Sequence, residues 1–174
     1  MSNNEKLKAA FAQIRQFGDP VLKEESRPVE VDDEVRRLAE RMITIMYAAE
    51  GVGLAAPQIG ILRKIIVFRF GKDEPQVLVN PEITWQSGEA ITDSEGCLSL
   101  ASLAVEVPRA AQVRVEGEDL EGNRRRLELE GIEARILQHE IDHLHGILII
   151  NRTTAGERRN LMARLRQLKL PGEE

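Results

Sequence analysis

The chain has 174 residues, 42% apolar and 30% charged, which suits one globular domain, 1–174, with a full hydrophobic core. Aromatic residues at 3% argue against a base-stacking nucleic-acid module, and the single cysteine, Cys97, excludes an intrachain disulfide. The net charge of −5 conceals an asymmetry: between Arg152 and Leu170 six basic residues face one acid, a local +5 on a body of −10.

Met1 to Phe17 carries charges throughout and lacks the apolar stretch of a secretion signal. No apolar run approaches the ~18 residues of a membrane span. The expectation is a cytoplasmic monomer with neither a membrane nor a DNA partner. Ser2 to Ala10 reads as irregular or loosely helical, and Gly18-Asp19-Pro20 as a turn. A helix is expected from Asp32 or Asp33 to Ala49, with an aspartate capping its start. Val35, Leu38, Met42, Ile45 and Met46 then recur at helical spacing.

Gly51 to Gly60 combines three glycines and a proline with small apolar residues, as in a tight loop whose backbone approaches something closely. It fits neither the phosphate-loop ending nor GxGxxG. Gln58 is its only side chain able both to donate and to accept hydrogen bonds. Lys64 to Phe70 is β-rich. Val77 to Val79 and Glu82 to Ser87 read as short strands broken by Asn80-Pro81. Asp93 to Leu100 holds the only thiol, beside a glycine. Val105 to Val107, Gln112 to Gly117 and Arg124 to Glu130 complete the strands, the last two flanking a hairpin loop from Glu118 to Asn123. A final helix is expected from Ala155 to Leu168. Successive strands without intervening helices indicate an α+β fold with mostly antiparallel pairing.

The chemistry concentrates in Gln138-His139-Glu140-Ile141-Asp142-His143, inside a helical pattern that begins near Ile132. At ~100° per residue, Ile132, Ile136, His139 and His143 share one stripe, which Leu137, Ile141 and Leu144 widen. Arg135, Gln138, Asp142 and His145 take the opposite, wettable side. Glu140 falls inside the apolar arc, where a carboxylate is costly unless paired, protonated or next to a metal. Histidines at i and i+4 can share one ion, and a glutamate after the first reaches its open position. Two hydrogen-bonded core histidines are the plain alternative, which the placing of Glu140 disfavours. A third ligand has several possible sources. Ile149 stands where a metzincin would have histidine, Glu157 would make a thermolysin-like endopeptidase, and His145 points away from the stripe. Cys97 offers a thiolate suited to iron or zinc.

Three blocks, GVGLAAPQIG at 51–60, EGCLS at 95–99 and QHEIDHLHG at 138–146, resemble in order the signature motifs of peptide deformylases, within a likeness running from Ile14 to Arg152. The resemblance implies a motif helix packed among antiparallel strands, between an N-terminal and a C-terminal helix. It implies that Cys97, His139 and His143 hold one divalent ion, iron(II) first, with zinc, nickel and cobalt as alternatives. Glu140 would be general base and acid, while Gln58 and the Leu98 N–H would stabilise an oxyanion. Val52, Gly53 and Gly96 would pair with substrate backbone, and Ile132 and Ile136 would line a methionine pocket. The implied substrates are N-formylmethionyl nascent peptides, which would lose formate. The likeness also suggests an ion pair between Glu50 and Arg109. The chain departs from the pattern at Ala101 and Ser102, where members commonly have proline and often glycine, and at Ile149-Ile150-Asn151, where many have phenylalanine-aspartate. Both departures bear on the substrate rim. The basic helix, with Arg158, Arg159, Arg164, Arg166 and Lys169, offers a ribosome contact, with Leu161, Leu165 and Leu168 packing inward.

Overall fold

The computed structural model describes residues 2–101 and 103–168. Ser102, Lys169 and Leu170 therefore lie outside the described residues. The element order is α1 (Asn3–Phe11), α2 (Asp33–Ala48), β1 (Gly53–Ala55), β2 (Ile65–Phe68), β3 (Gln76–Gln86), β4 (Ala90–Gly96), β5 (Ala104–Ala110), β6 (Gln112–Glu118), β7 (Arg124–Glu130), α3 (Gly131–Leu144), α4 (Ile149–Arg152) and α5 (Ala155–Leu168). Short 3-10 turns occupy Pro20–Lys23, Ala56–Ile59 and Leu98–Leu100. The fold is α+β, with antiparallel strand pairs throughout its two sheets.

The larger sheet has the order β1-β2-β3-β6-β7, and β4-β5 forms a separate ribbon. In β2 every residue is buried, because each face of this sheet carries a helix. Ile65 and Val67 pack with Val35, Met42 and Met46 of α2. Ile66 and Phe68 point the other way, into a core with Ile136, Leu137 and Ile141 of α3. This explains an unbroken apolar run where a half-exposed strand would alternate. A third core joins Leu100, Val105 and Val107 of the ribbon side to Ile149, Leu161 and Leu165 of the C-terminal helices. The motif helix thus lies between the larger sheet and the ribbon.

Local chemistry accounts for several element ends. The Asp32 carboxylate accepts from Val35 N at 2.8 Å and starts α2, a cap contributing about 1 kcal/mol. Ser2 and Glu5 form a reciprocal capping box, so the N-terminal stretch is a defined helix rather than an irregular segment. Asp119 accepts from the N–H groups of Glu121 and Asn123 and closes the β6–β7 hairpin.

Three sequence expectations are corrected. Asn80-Pro81 does not break a strand: β3 runs through it as a bulge, with Asn80 at φ 51 and its side chain bonded to both backbone groups of Val29. β4 has no full counterpart among the strands expected from sequence, because only Glu95 of its seven residues is buried and no apolar alternation marks it. The polar side of the motif helix is not wettable. Arg135, Gln138 and Asp142 are buried against the β4-β5 ribbon, and only His145 is exposed. Periodicity separates polar from apolar faces, but a polar face can meet a polar partner instead of water.

Candidate metal centre and its cleft

β1 and the turn after it bring Gln58 to the site. Cys97 follows directly on the end of β4, and α3 supplies His139, Glu140 and His143. His143 Nε2 lies 3.5 Å from Cys97 Sγ and 3.2 Å from His139 Nε2. A ligand atom from each of the three residues falls within 4.8 Å of the others. A tetrahedral ion with bonds of about 2.1 Å to nitrogen and 2.3 Å to sulfur separates its donors by about 3.4 Å (N–N) and 3.6 Å (N–S). The two spacings at His143 are therefore those of a donor set ready for one cation.

The ring of His139 is oriented from behind. Its Nδ1 lies 2.9 Å from Glu95 Oε2, which leaves Nε2 for the shared point. Glu95 also accepts from Arg109 Nε at 2.8 Å and from Arg135 Nη1 at 2.8 Å. Burial opposes its charge, but the hydrogen bonds from His139 and Arg109 outweigh this and hold its pKa at about 2. Burial also opposes a charge on His139, yet its contacts with Cys97 and Glu95 keep its pKa well above the usual histidine range. Burial and the positive charge at His139 hold His143 well below that range.

Glu140 is 4% exposed, and its Oε2 has no hydrogen-bond partner among the described residues. Burial pushes its pKa up to about 7, opposed by the His139 charge and aided by Glu95. Such a carboxyl can both take and return a proton near neutrality. It lies directly against Gly53, where a Cβ would sit 2.9 Å from Glu140 Cγ and closer still to the carboxyl group. What reads in the sequence as a tight loop is strand β1 followed by a turn that Gly60 closes at φ 82.

Gln58 is 1% exposed and clamped at both ends of its amide. Its Oε1 accepts from Ala55 N at 2.9 Å, and its Nε2 donates to Ser99 Oγ at 3.2 Å. Nε2 also lies 4.0 Å from Cys97 Sγ, so the amide N–H edge faces the donor set. Leu98 opens the turn Leu98–Leu100, where a backbone N–H has no acceptor within the turn.

One cleft of about 300 Å³ borders ten of the eleven site residues named from sequence, the exception being buried His143. Val52 and Ile132 are exposed at its rim, Gly53 and Ile136 lie deeper, and Gly96 stands opposite on the end of β4. Sequence reasoning missed Glu95 and Ser99, which hold His139 and Gln58. The signal was their place inside the same EGCLS block as Cys97. The Glu50–Arg109 ion pair is not formed. Arg109 faces α3 from β5 and is bonded to Glu95 and Asp142, while Glu50 is exposed at the cleft and accepts from Asn3 Nδ2 at 3.4 Å. Glu157 is on α5 and takes no part in the donor group.

Fold and site together define a class: an α+β protein with a Cys-His-His donor set, a carboxyl poised beside it and a narrow cleft in front. Comparison with known proteins narrows the class. The family model described as polypeptide deformylase matches residues 11–159. A peptide deformylase of Thermus thermophilus is 48% identical over 80% of this chain and 80% of its own length. One from Thermotoga neapolitana is 44% identical over 88% and 93%. Among solved structures, a Thermus thermophilus peptide deformylase aligns with a TM-score of 0.84 at 47% identity, covering 89% of this chain and 93% of that one. The Synechococcus elongatus enzyme in complex with actinonin aligns at 0.84 and 37% identity, covering 90% and 86%. This chain belongs to the peptide deformylase family.

Proposed function

We propose that the chain is a metal-dependent amide hydrolase that removes the formyl group from N-terminal formylmethionine of newly made polypeptides, releasing formate. The observation that carries this reading is the convergence of Cys97, His139 and His143 with an unpaired, buried Glu140 in one cleft. Cys97, His139 and His143 would hold one divalent ion, iron(II) first and zinc, nickel or cobalt as alternatives. Such an ion supplies Lewis acidity, polarising a carbonyl and making water a stronger acid.

The residues do the rest. Glu140 takes the proton of the attacking water and delivers it to the amine nitrogen as the formyl C–N bond breaks. The Gln58 Nε2–H and the Leu98 N–H point to where the formyl oxygen gains charge. Losing one such donor costs ~100- to 1000-fold in turnover. Edge backbone at Val52, Gly53 and Gly96 pairs with the substrate in strand fashion, and Ile132 and Ile136 receive the methionine side chain. Residues 1–174 act as one catalytic domain, a cytoplasmic monomer. The basic face of α5 contributes a contact with ribosomal RNA.

The test uses protein purified without oxygen, its metal content measured, and formyl-Met-Ala-Ser as substrate. Metal-loaded protein is expected to release formate, and Glu140→Gln to keep its metal while turnover falls by several orders of magnitude. Near-normal turnover in Glu140→Gln would sink the assigned proton transfer, and no formate from the metal-loaded parent would sink the function.

A further inference from the structure

Gln58 and Leu98 belong to different parts of the fold. Gln58 lies in the turn after β1, an edge of the larger sheet, and Leu98 opens the turn after β4, in the ribbon. Among the described residues no strand pairing links the two sheets, so ladder hydrogen bonds do not set the distance between these groups. One side-chain bond, Gln58 Nε2 to Ser99 Oγ at 3.2 Å, joins the two turns directly, and the backbone segment that crosses beside it is residues 15–17. Arg15 N donates to Gln58 O at 2.7 Å, and Phe17 N donates to Ser99 O at 2.7 Å. Between them the Gln16 side chain donates to Leu98 O at 3.0 Å and accepts from Ala101 N at 3.2 Å. The segment is anchored at both ends: Ile14 is buried in the α2 core, and Phe17 packs against the core that holds Cys97 and Leu100. Arg15 also lies over Gly60, the residue that closes the Gln58 turn.

Ala101 leaves the Leu98 turn with φ 52, a left-handed conformation that side chains other than glycine adopt under strain. A turn that exits through a strained residue keeps its shape only if its surroundings hold it. The Gln16 carbonyl holds the Ala101 N–H, and the Gln16 amide holds the carbonyl of Leu98 itself. We propose that residues 15–17 form a strap that sets the spacing of the Gln58 and Leu98 donors, and that Gln16 is a positioning residue for the hydrolysis. This rests on the reading of those two groups as oxyanion donors. Gln16 does not border the cleft, so it acts through the turn and not on the substrate.

The experiment compares Gln16→Ala and Gln16→Glu with the metal-loaded parent. Steady-state kinetics on formyl-Met-Ala-Ser is paired with metal analysis and amide hydrogen exchange. Because small displacements of catalytic groups are costly in rate, Gln16→Ala is expected to lose about tenfold in kcat. KM should stay within about twofold and metal content unchanged, with faster exchange at Phe17 and Ala101. Gln16→Glu keeps an acceptor for Ala101 N–H, and should recover that protection and part of the rate. Unchanged exchange and unchanged kcat in Gln16→Ala overturn the strap while leaving the deformylase reading intact. Faster exchange with unchanged kcat overturns the positioning role, together with the part given to the Leu98 N–H. An inactive parent overturns the deformylase reading and with it the role of Gln16 in turnover, and exchange then reports on the clamp alone. Loss of metal in Gln16→Ala overturns the proposal in favour of a structural support of Cys97.

Discussion

Gly53 has no side chain because the Glu140 carboxyl group fills the space where one would stand. That contact gives the second glycine of GVG a chemical reason, beyond backbone freedom. The three nearest atoms to a methyl group there all belong to Glu140, so it is Glu140 that would have to shift. Gly53→Ala is therefore expected to lower turnover of a formyl peptide by at least ~100-fold, the scale of an ångström-sized misplacement. Metal content and far-UV circular dichroism should remain those of the parent. Loss of metal in this variant would mean that β1 supports the ligands themselves. Gln58 is held in place just as closely: one end of its amide is tied to Ala55 N and the other to Ser99 Oγ, so its donor edge needs no search.

At the scale of elements, α5 has the bounds its sequence implies but differs in which of its residues meet the fold. Leu161 and Leu165 are buried as expected, but Leu168 is 55% exposed and does not pack inward. Two of its basic residues are engaged with the fold: Arg158 Nε donates to Ile150 O at 2.9 Å, and Arg164 Nη1 reaches Ala104 O at 3.4 Å. Arg159 and Arg166 are exposed and bonded to nothing among the described residues, so they are the residues through which α5 would meet an anionic surface. Lys169 lies outside the described residues. The variant Arg159→Glu with Arg166→Glu is expected to co-sediment less with ribosomes at low salt. Its turnover of a short formyl peptide should stay unchanged. Undiminished co-sedimentation would make the basic face ordinary solvated surface.

Across the whole molecule, the junction of α3 with the β4-β5 ribbon is polar where the other contacts of α3 are apolar. Arg109 is 5% exposed and holds Glu95 and Asp142 at once, and Asp142 also accepts from Arg152. Removing one member of a buried charge set costs up to about 3–5 kcal/mol, and less where the others keep a partner, as Glu95 keeps Arg135 and His139 and Asp142 keeps Arg152. Arg109→Leu is therefore expected to lower stability in urea unfolding by less than that full amount. Adding Glu95→Gln should cost less on this background than in the parent, because the Arg109–Glu95 pair is already gone. Simple additivity of the two substitutions would show that Arg109 and Glu95 are not coupled.

The sequence by itself determined most of what is local. The helical stripe of Ile132, Ile136, His139 and His143, the Asp32 cap and the bounds of α5 all follow from neighbours within a few turns. Three motif blocks also carried the family. The α+β class followed from strands in succession. The tertiary structure decided what depends on partners distant in the chain. Arg135, Gln138 and Asp142 look solvent-facing until the ribbon covers them with charges and carbonyls of its own. β4 has no apolar pattern because its one buried residue is a carboxylate, and Asn80-Pro81 stays in its strand because Val29 satisfies the bulge. Glu50 and Arg109 do not meet, because Arg109 is already occupied across the α3 junction. Periodicity records which side chains avoid water. It does not record which polar groups have found each other instead, and in this molecule those pairings orient His139, Gln58 and the turn that carries Leu98.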